Sequence, residues 1–381
     1  MSVATQNICP AILTSLSDNL INNSANVKIH GGTLAALTDP ANLATGTIIR
    51  QANDNGTGHS KEVRVVYKQR LTADDTSDIK ACDFDQNAIP YQEIDVPITQ
   101  YRSVNFSMTE EQLRVYCESY SQLVTLTGST DPGTIVTRAN GIGRAGGALS
   151  VVRELFNDFQ LASNALIQAM NQDLLASIST GFGAWYGTGG TIAPETFVVE
   201  DSTTGSLVPK GLFTMKQAYM NSGFNGAPII VGGPGSLQRV WMNDSRYFGQ
   251  AANGLDYSTV RSNTGIAEFY FDPNIITGGP LNSDENGAVV FAPGSLLYLP
   301  YLQYVGNFGD IGTMKRFTMP MPGLPQVKTD IRILSDECDE LYKVYMECYF
   351  DLFAAPTNLF KTTDDNYNIN GVFEAEFTET P

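Results

Sequence analysis

Gly141-Ile142-Gly143-Arg144-Ala145-Gly146 comes nearer than any other stretch of this 381-residue chain to a binding or catalytic signature. It matches G-x-G-x-x-G, follows a strand-like stretch at 134–137 and precedes a helix. In a dinucleotide-binding unit such glycines let the backbone approach a pyrophosphate at a helix N-terminus. That unit also needs a helix of ordinary length and then a second parallel strand ending in an acid. Here a helical pattern runs on through the place where that strand belongs, and Asp158 and Asp173 lie inside it. Gly141, Gly143 and Gly146 therefore read as a flexible hinge that sets the angle between the preceding hairpin and a long strut.

The other candidates carry less. Val231-Gly232-Gly233-Pro234-Gly235-Ser236 joins a strand to a helix but lacks the lysine of a P-loop, which leaves a tight turn and a helix cap. His30 and His59 are the only histidines, both in glycine-rich loops without a second ligand at zinc spacing. Two histidines give a Ser-His-Asp or Cys-His site almost no raw material, and no G-x-S-x-G elbow occurs. Cys9, Cys82, Cys117, Cys338 and Cys348 are odd in number and widely spaced. They read as reduced thiols of a cytoplasm, several of them packed in a core. The acidic groups Asp74/Asp75/Asp78, Asp83/Asp85 and Asp336/Glu337/Asp339/Glu340 lack EF-hand spacing and read as solvated turns. The expectation is no catalytic, cofactor or metal site.

The elements around these residues are more telling. Between Gly146 and Gly181 apolar side chains recur at Leu149, Val152, Leu155, Phe156, Phe159, Ala162, Leu166, Ala169, Met170, Leu174 and Ile178. That three-to-four spacing predicts a helix over 147–178 with one buried stripe, its core centred on Leu155, Phe156, Phe159 and Leu166. Arg153, Asn157, Gln160, Ser163, Asn164, Gln168 and Gln172 fill the other face. About 30 residues make a rod of roughly 45 Å. Before it, Val63, Val65 and Tyr67 alternate with Arg64, Val66, Lys68 and Arg70, a strand signature. A second extended run covers 91–106, so 61–106 reads as a long hairpin with an acidic tip. Lys61, Arg64, Lys68 and Arg70 give it a basic strip: either a solvated strand face or a surface that lies on an acidic patch of a neighbouring subunit. Thr109 opens another helix with Gln112 as capping-box partner, and Gly128 ends it. After about residue 200 short mixed elements follow: helices at 211–221 and 236–242, strands at 228–231, 266–271 and 288–291. The proline-rich 319–325 reads as a boundary, and 326–334 and 341–353 as two further strands.

Composition narrows the class. The net charge is −17, from 23 basic and 40 acidic residues, so a generic basic face for nucleic acid is excluded and only a locally positive strip could serve. No residue before Lys28 is basic and no apolar core of signal-peptide length occurs, so no standard signal peptide is expected. The apolar stretch 288–302 contains Pro293 and Pro300 and is too short to span a bilayer. The polar stretches around Asn22, Asn23 and Ser24 and over 362–381 would normally fray; if held, they are expected to lie on another copy of the chain.

An arm, a long hairpin, a long helix, a compact α/β region and a return to paired strands form an order that resembles the major capsid protein of tailed bacteriophages, with the α+β Hong Kong 97-like fold. The resemblance covers most of the chain and rests on architecture. It implies an N-terminal arm at 1–60, an E-loop at 61–106 and a peripheral domain at 107–199 with the spine helix 147–178. An axial domain at 200–325 would include Gly226-Ala227-Pro228-Ile229-Ile230-Val231 and Ala288-Val289-Val290-Phe291-Ala292-Pro293-Gly294. Return strands at 326–360 would include Tyr345-Met346-Glu347-Cys348-Tyr349-Phe350-Asp351-Leu352-Phe353, with a tail at 361–381. The helix at 110–126 is extra to that pattern. A chain beginning at Met1 leads to the expectation that no N-terminal scaffolding segment has been cleaved. The function implied is a virion subunit, assembled in the bacterial cytoplasm into hexamers and pentamers of an icosahedral head around double-stranded DNA. Its partners would be further copies of itself, a portal, and scaffolding, head-completion or decoration proteins, with no membrane. The rival readings are a tail-tube or sheath subunit and a nucleotide-binding enzyme.

Overall fold

The computed structural model describes residues 31–42, 48–51, 61–68, 91–129, 132–184, 192, 194–203, 205, 208–224, 226–242, 268–303, 314–321, 324–336, 341–356 and 370–380. The short helix expected near 11–20 and the hairpin tip lie outside them. The chain forms two compact units, each made of segments far apart in sequence. The first gathers 1–28, 100–170 and 300–350; the second gathers 29–99, 171–299 and 351–381.

In the first unit the strands β10 (Met314–Met321), β11 (Leu324–Asp336), β12 (Leu341–Ala354) and β4 (Gln100–Thr109) pair antiparallel in that order. Strand alternation gives the sheet two faces. Val344, Met346, Cys348 and Phe350 are buried on one, with Ile331 of β11 opposite Met346 and Phe106 of β4 opposite Val344. The helix α4 (Gly146–Thr180) supplies Phe159, whose ring meets that of Phe106 edge-on at 4.8 Å. The proline-rich stretch expected to be a boundary instead lies within the β10–β11 pair, where Met321 is the partner of Leu324.

Helix α2 (Glu110–Thr127) starts at the expected capping box: Gln112 N donates to Thr109 Oγ1, and Thr109 N donates to Gln112 Oε1. It stops at Gly128, whose φ of 64° is the left-handed conformation that glycine adopts without a Cβ penalty. The strand-like stretch 134–137 is in fact part of a helix, α3 (Pro132–Ala139). Its β-branched run is overridden by packing: Ile135 and Ala139 join Cys117, Tyr120, Leu123, Ala145, Leu149 and Val152 in a satellite core. Cys117 is disulfide-bonded. The expectation of reduced thiols therefore holds for the free, buried Cys348 and not for Cys117.

The second unit holds two sheets. In one, β1 (Ile48–Gln51), β2 (Glu62–Lys68) and β3 (Tyr91–Pro97) are antiparallel neighbours. The extended run expected over 91–106 is therefore two strands, parted after Pro97, and β4 belongs to the other unit. In the second sheet the order is β5 (Glu195–Glu200), β13 (Val372–Glu379), β8 (Gly287–Phe291), β6 (Ile229–Gly232) and β7 (Glu268–Phe271). Helix α5 (Pro209–Asn221) covers it, burying Leu212, Met215 and Tyr219 against Phe197, Ile230, Val290, Phe373 and Phe377. A Cβ at Gly211 would collide with the carbonyl of Val198, so glycine sets the approach of α5 to β5.

Strand β13 corrects the expectation of a polar tail on another copy. It is an inner strand of the chain's own sheet, parallel to β5 and antiparallel to β8, with Val372, Phe373, Ala375 and Phe377 buried. Its sequence V-F-E-A-E-F-T-E is polar on average and strand-like in its alternation.

Candidate functional site

The glycine motif proves to be a corner between α3 and α4, not a link from hairpin to rod. A short 3-10 turn, Gly143–Ala145, leads directly into α4. Ile142 and Ala145 pack in the satellite core while Gly141, Gly143 and Gly146 face outward. A Cβ at Gly143 or Gly146 would meet nothing within 4 Å, and at Gly141 only an ordinary 3.5 Å contact with the Arg138 carbonyl oxygen. Neither the backbone nor its surroundings demand glycine here. The helix α3 stands where a dinucleotide-binding unit needs its first strand.

The rod carries its stripe as the periodicity predicts. Phe159 and Leu166 are buried, as are Leu149, Val152, Ala162, Met170, Leu174 and Ile178. The side chains of Leu155 and Phe156 lie outside the described residues. Ser163, expected on the polar face, is buried instead.

On the hairpin, Val63 and Val65 are fully buried and Arg64 and Val66 half-exposed, as alternation requires. Arg64 is held by its neighbour strand. Its Nε and Nη2 donate to the two carboxylate oxygens of Asp95 at 2.7 and 2.9 Å, and Nη1 lies 3.3 Å from Glu93. Asp95 stands directly across from Arg64. The hydrogen bond to Asp95 raises the arginine's pKa and lowers the carboxyl's, but both groups are exposed, where such a pair stabilises little. The strip is thus of mixed charge on its described part. Lys61 has a partner of its own, the Lys68 side chain is outside the described residues, and so is Arg70.

A buried polar cluster went unrecognised in the sequence. Asp272, fully buried just after β7, accepts at Oδ2 from the Thr33 amide (3.1 Å), the Thr33 hydroxyl and Asn171 Nδ2 (2.7 Å). Its Oδ1 accepts from the Asn274 amide and side chain at 2.9 and 3.0 Å. Asn171 Oδ1 accepts in turn from the Leu34 amide at 3.0 Å. The cluster pins α1 (Gly32–Thr38), α4 and β7 at one point. Tyr270 adds to it, donating to Asp39 at 2.8 Å and accepting from Asn42 at 3.0 Å. Two signals were available: Asn171 interrupts the apolar stripe between Ile167 and Leu174, and Asp272-Pro273-Asn274 is turn chemistry. Every oxygen of the carboxylate already has donors, so the arrangement is that of a structural clamp.

Other buried acids also have donors within the chain: Asp330 accepts from Gln303 N at 2.7 Å and from Thr318 Oγ1 at 2.6 Å. Glu374 accepts from Ser283 N and Oγ and from Asn282 Nδ2. Glu347 meets Arg332 Nη2 at 2.6 Å, and the guanidinium lies 4.7 Å from the centre of the Tyr345 ring. Among the described residues no three His, Cys, Asp or Glu side chains are grouped to hold a metal. None of the described helices is long and apolar enough to cross a membrane.

Solved structures similar to this chain include phage capsid proteins. One is the capsid asymmetric unit of Cyanophage A-1(L), at 12% identity and a TM-score of 0.42, covering 92% of this chain and 94% of that one. The capsid of Ralstonia phage GP4 matches at 9% identity and 0.40, with 85% of each chain covered. A phage-related protein from Bordetella bronchiseptica RB50 matches at 7% and 0.41, with 95% of each covered. No family model and no curated protein sequence matches the chain.

Proposed function

We propose that this chain is a structural subunit of a phage head: a major capsid protein of the Hong Kong 97-like kind, not an enzyme. The observation that carries the reading is the 35-residue helix α4, set by Phe159 against a sheet drawn from chain segments some 200 positions apart. A strut of about 50 Å at 1.5 Å per residue is far longer than a globular core of this size uses, and it suits a plate that must resist bending. The buried carboxylates described above all accept from the chain's own donors, which fits scaffolding better than catalysis.

In this reading the hairpin strands β2 and β3 belong to the E-loop, the rod with the sheet β10–β11–β12–β4 to the peripheral domain, and the sheet β5–β13–β8–β6–β7 to the axial domain. The hairpin face of Lys61, Arg64, Lys68 and Arg70 lies between subunits, and Gly141, Gly143 and Gly146 form the hinge at the base of the rod. With Arg64 engaged by Asp95 and Glu93, that hairpin contact works through shape and register more than through net positive charge. Copies assemble into hexamers and pentamers of an icosahedral shell in the host cytoplasm. The shell encloses double-stranded DNA, with a portal and scaffolding, head-completion or decoration proteins as partners. An acidic wall would not bind the genome tightly.

Negative-stain microscopy of the purified chain tests this. Closed particles of uniform size are expected. Tubes would point to the tail-tube or sheath reading, and a monodisperse monomer at every salt concentration would overturn self-assembly. Calorimetry with NAD or ATP is expected to show no saturable binding at 141–146.

A further inference from the structure

Helix α5 has two sides of opposite character. Leu212, Met215 and Tyr219 are fully buried, while Phe213 and Met220 are 51% and 54% exposed. The exposed pair are seven positions apart, two turns along one face. Lys216 stands between them and Lys210 one turn before Phe213, and the helix carries no acid. An exposed aromatic and a methionine beside two lysines, in a chain of net charge −17, make a surface that selects an acidic partner.

Helix α2 has the complementary surface. Val115 and Leu126 are exposed apolar residues on it. Glu111 and Glu118 flank Val115 one turn to either side, and Glu110 adds a third acid at the start. Arg114, the helix's one base, sits 3.8 Å from Glu118 with both side chains well exposed, a separation at which the pair contributes little. The chain is thus its own candidate partner: one helix is apolar and basic, the other apolar and acidic.

We propose that α5 of one copy docks against α2 of the next. This rests on the self-assembly reading above and names a contact within it. Because two different surfaces meet, the interface is heterologous: it propagates head to tail and closes into a ring where the rotation divides a full turn. Phe213 and Met220 would sit against Val115 and Leu126, with Lys210 and Lys216 facing Glu111 and Glu118. Methionine repacks readily, so one such contact tolerates the small change of angle between a ring of six and a ring of five. The charges would set register and encounter rate more than affinity.

The test is a charge exchange. Lys210→Glu with Lys216→Glu is made in one chain, Glu111→Lys with Glu118→Lys in a second, and all four in a third. Each chain is checked for an unchanged melting temperature. Either reversal alone is expected to cut particle yield at low salt by about tenfold or more, and the fourfold variant to restore it. A separate variant, Phe213→Ser with Met220→Ser, is expected to melt normally and build no closed particles. Wild-type particles together with undiminished particles from the single reversals or the serine variant overturn the contact, as does a fourfold variant that fails to recover. A wild-type chain that builds no particles overturns the self-assembly reading instead.

Discussion

Cys348 holds its proton because burial on the apolar face of the first unit's sheet disfavours a thiolate, pushing its pKa from 9.0 up to about 12. The unfolded thiol ionises first, so the stability associated with this group is fully present below about pH 9 and is lost as pH rises towards about 12. Chemical denaturation across that window is expected to show a shallower alkaline loss in Cys348→Ala than in the wild type. The comparison is of slopes, since the cavity lowers stability at every pH. At this scale the sequence was a good guide to apolar positions and a poor one to polar partners. Phe159 and Leu166 follow from spacing alone. That Arg64 belongs to Asp95, or that Asn171 reaches Asp272, depends on register and on contacts across 31 and 101 positions, which no local pattern encodes.

Among the elements, α2 is the best specified locally. Its capping box satisfies two otherwise orphaned donors, and Gly128 closes the other end. Thr109→Ala is expected to cost about 1 kcal/mol, measured by urea denaturation. A loss much nearer zero would mean that packing against α3 and α4, not the cap, fixes where α2 begins. The rod was legible for the same local reason, running from Gly146 to Thr180 where 147–178 was expected. The elements misread from sequence are those where tertiary context overrode local preference. Helix α3 contains Thr134, Ile135, Val136 and Thr137, a run with strand propensity that the satellite core holds helical. The run at 91–106 has one continuous pattern, yet its two halves hydrogen-bond to β2 and to β12, partners in different units.

For the whole molecule, the sheet of the second unit matters most. Because β13 lies between β5 and β8, ending the chain after Asn370 is expected to abolish cooperative melting of that unit, and circular dichroism with limited proteolysis would register it. Particles of normal size from such a shortened chain would show the strand to be dispensable. The position of β13 also sets a clock. Ala375 pairs with Ala288 and lies beside Glu195, so β5 leaves the ribosome about 180 residues ahead of the strand that completes its ladder. At about 5–20 residues per second that is a wait of roughly 10–40 s with the hydrogen-bonding edge of β5 that β13 will take left unpaired. Nascent chains of this protein should therefore lean on chaperones that shelter exposed strand edges. A ribosome that stalls anywhere between β8 and β13 should release a product that aggregates through that open edge, so that only molecules translated through residue 379 complete the sheet.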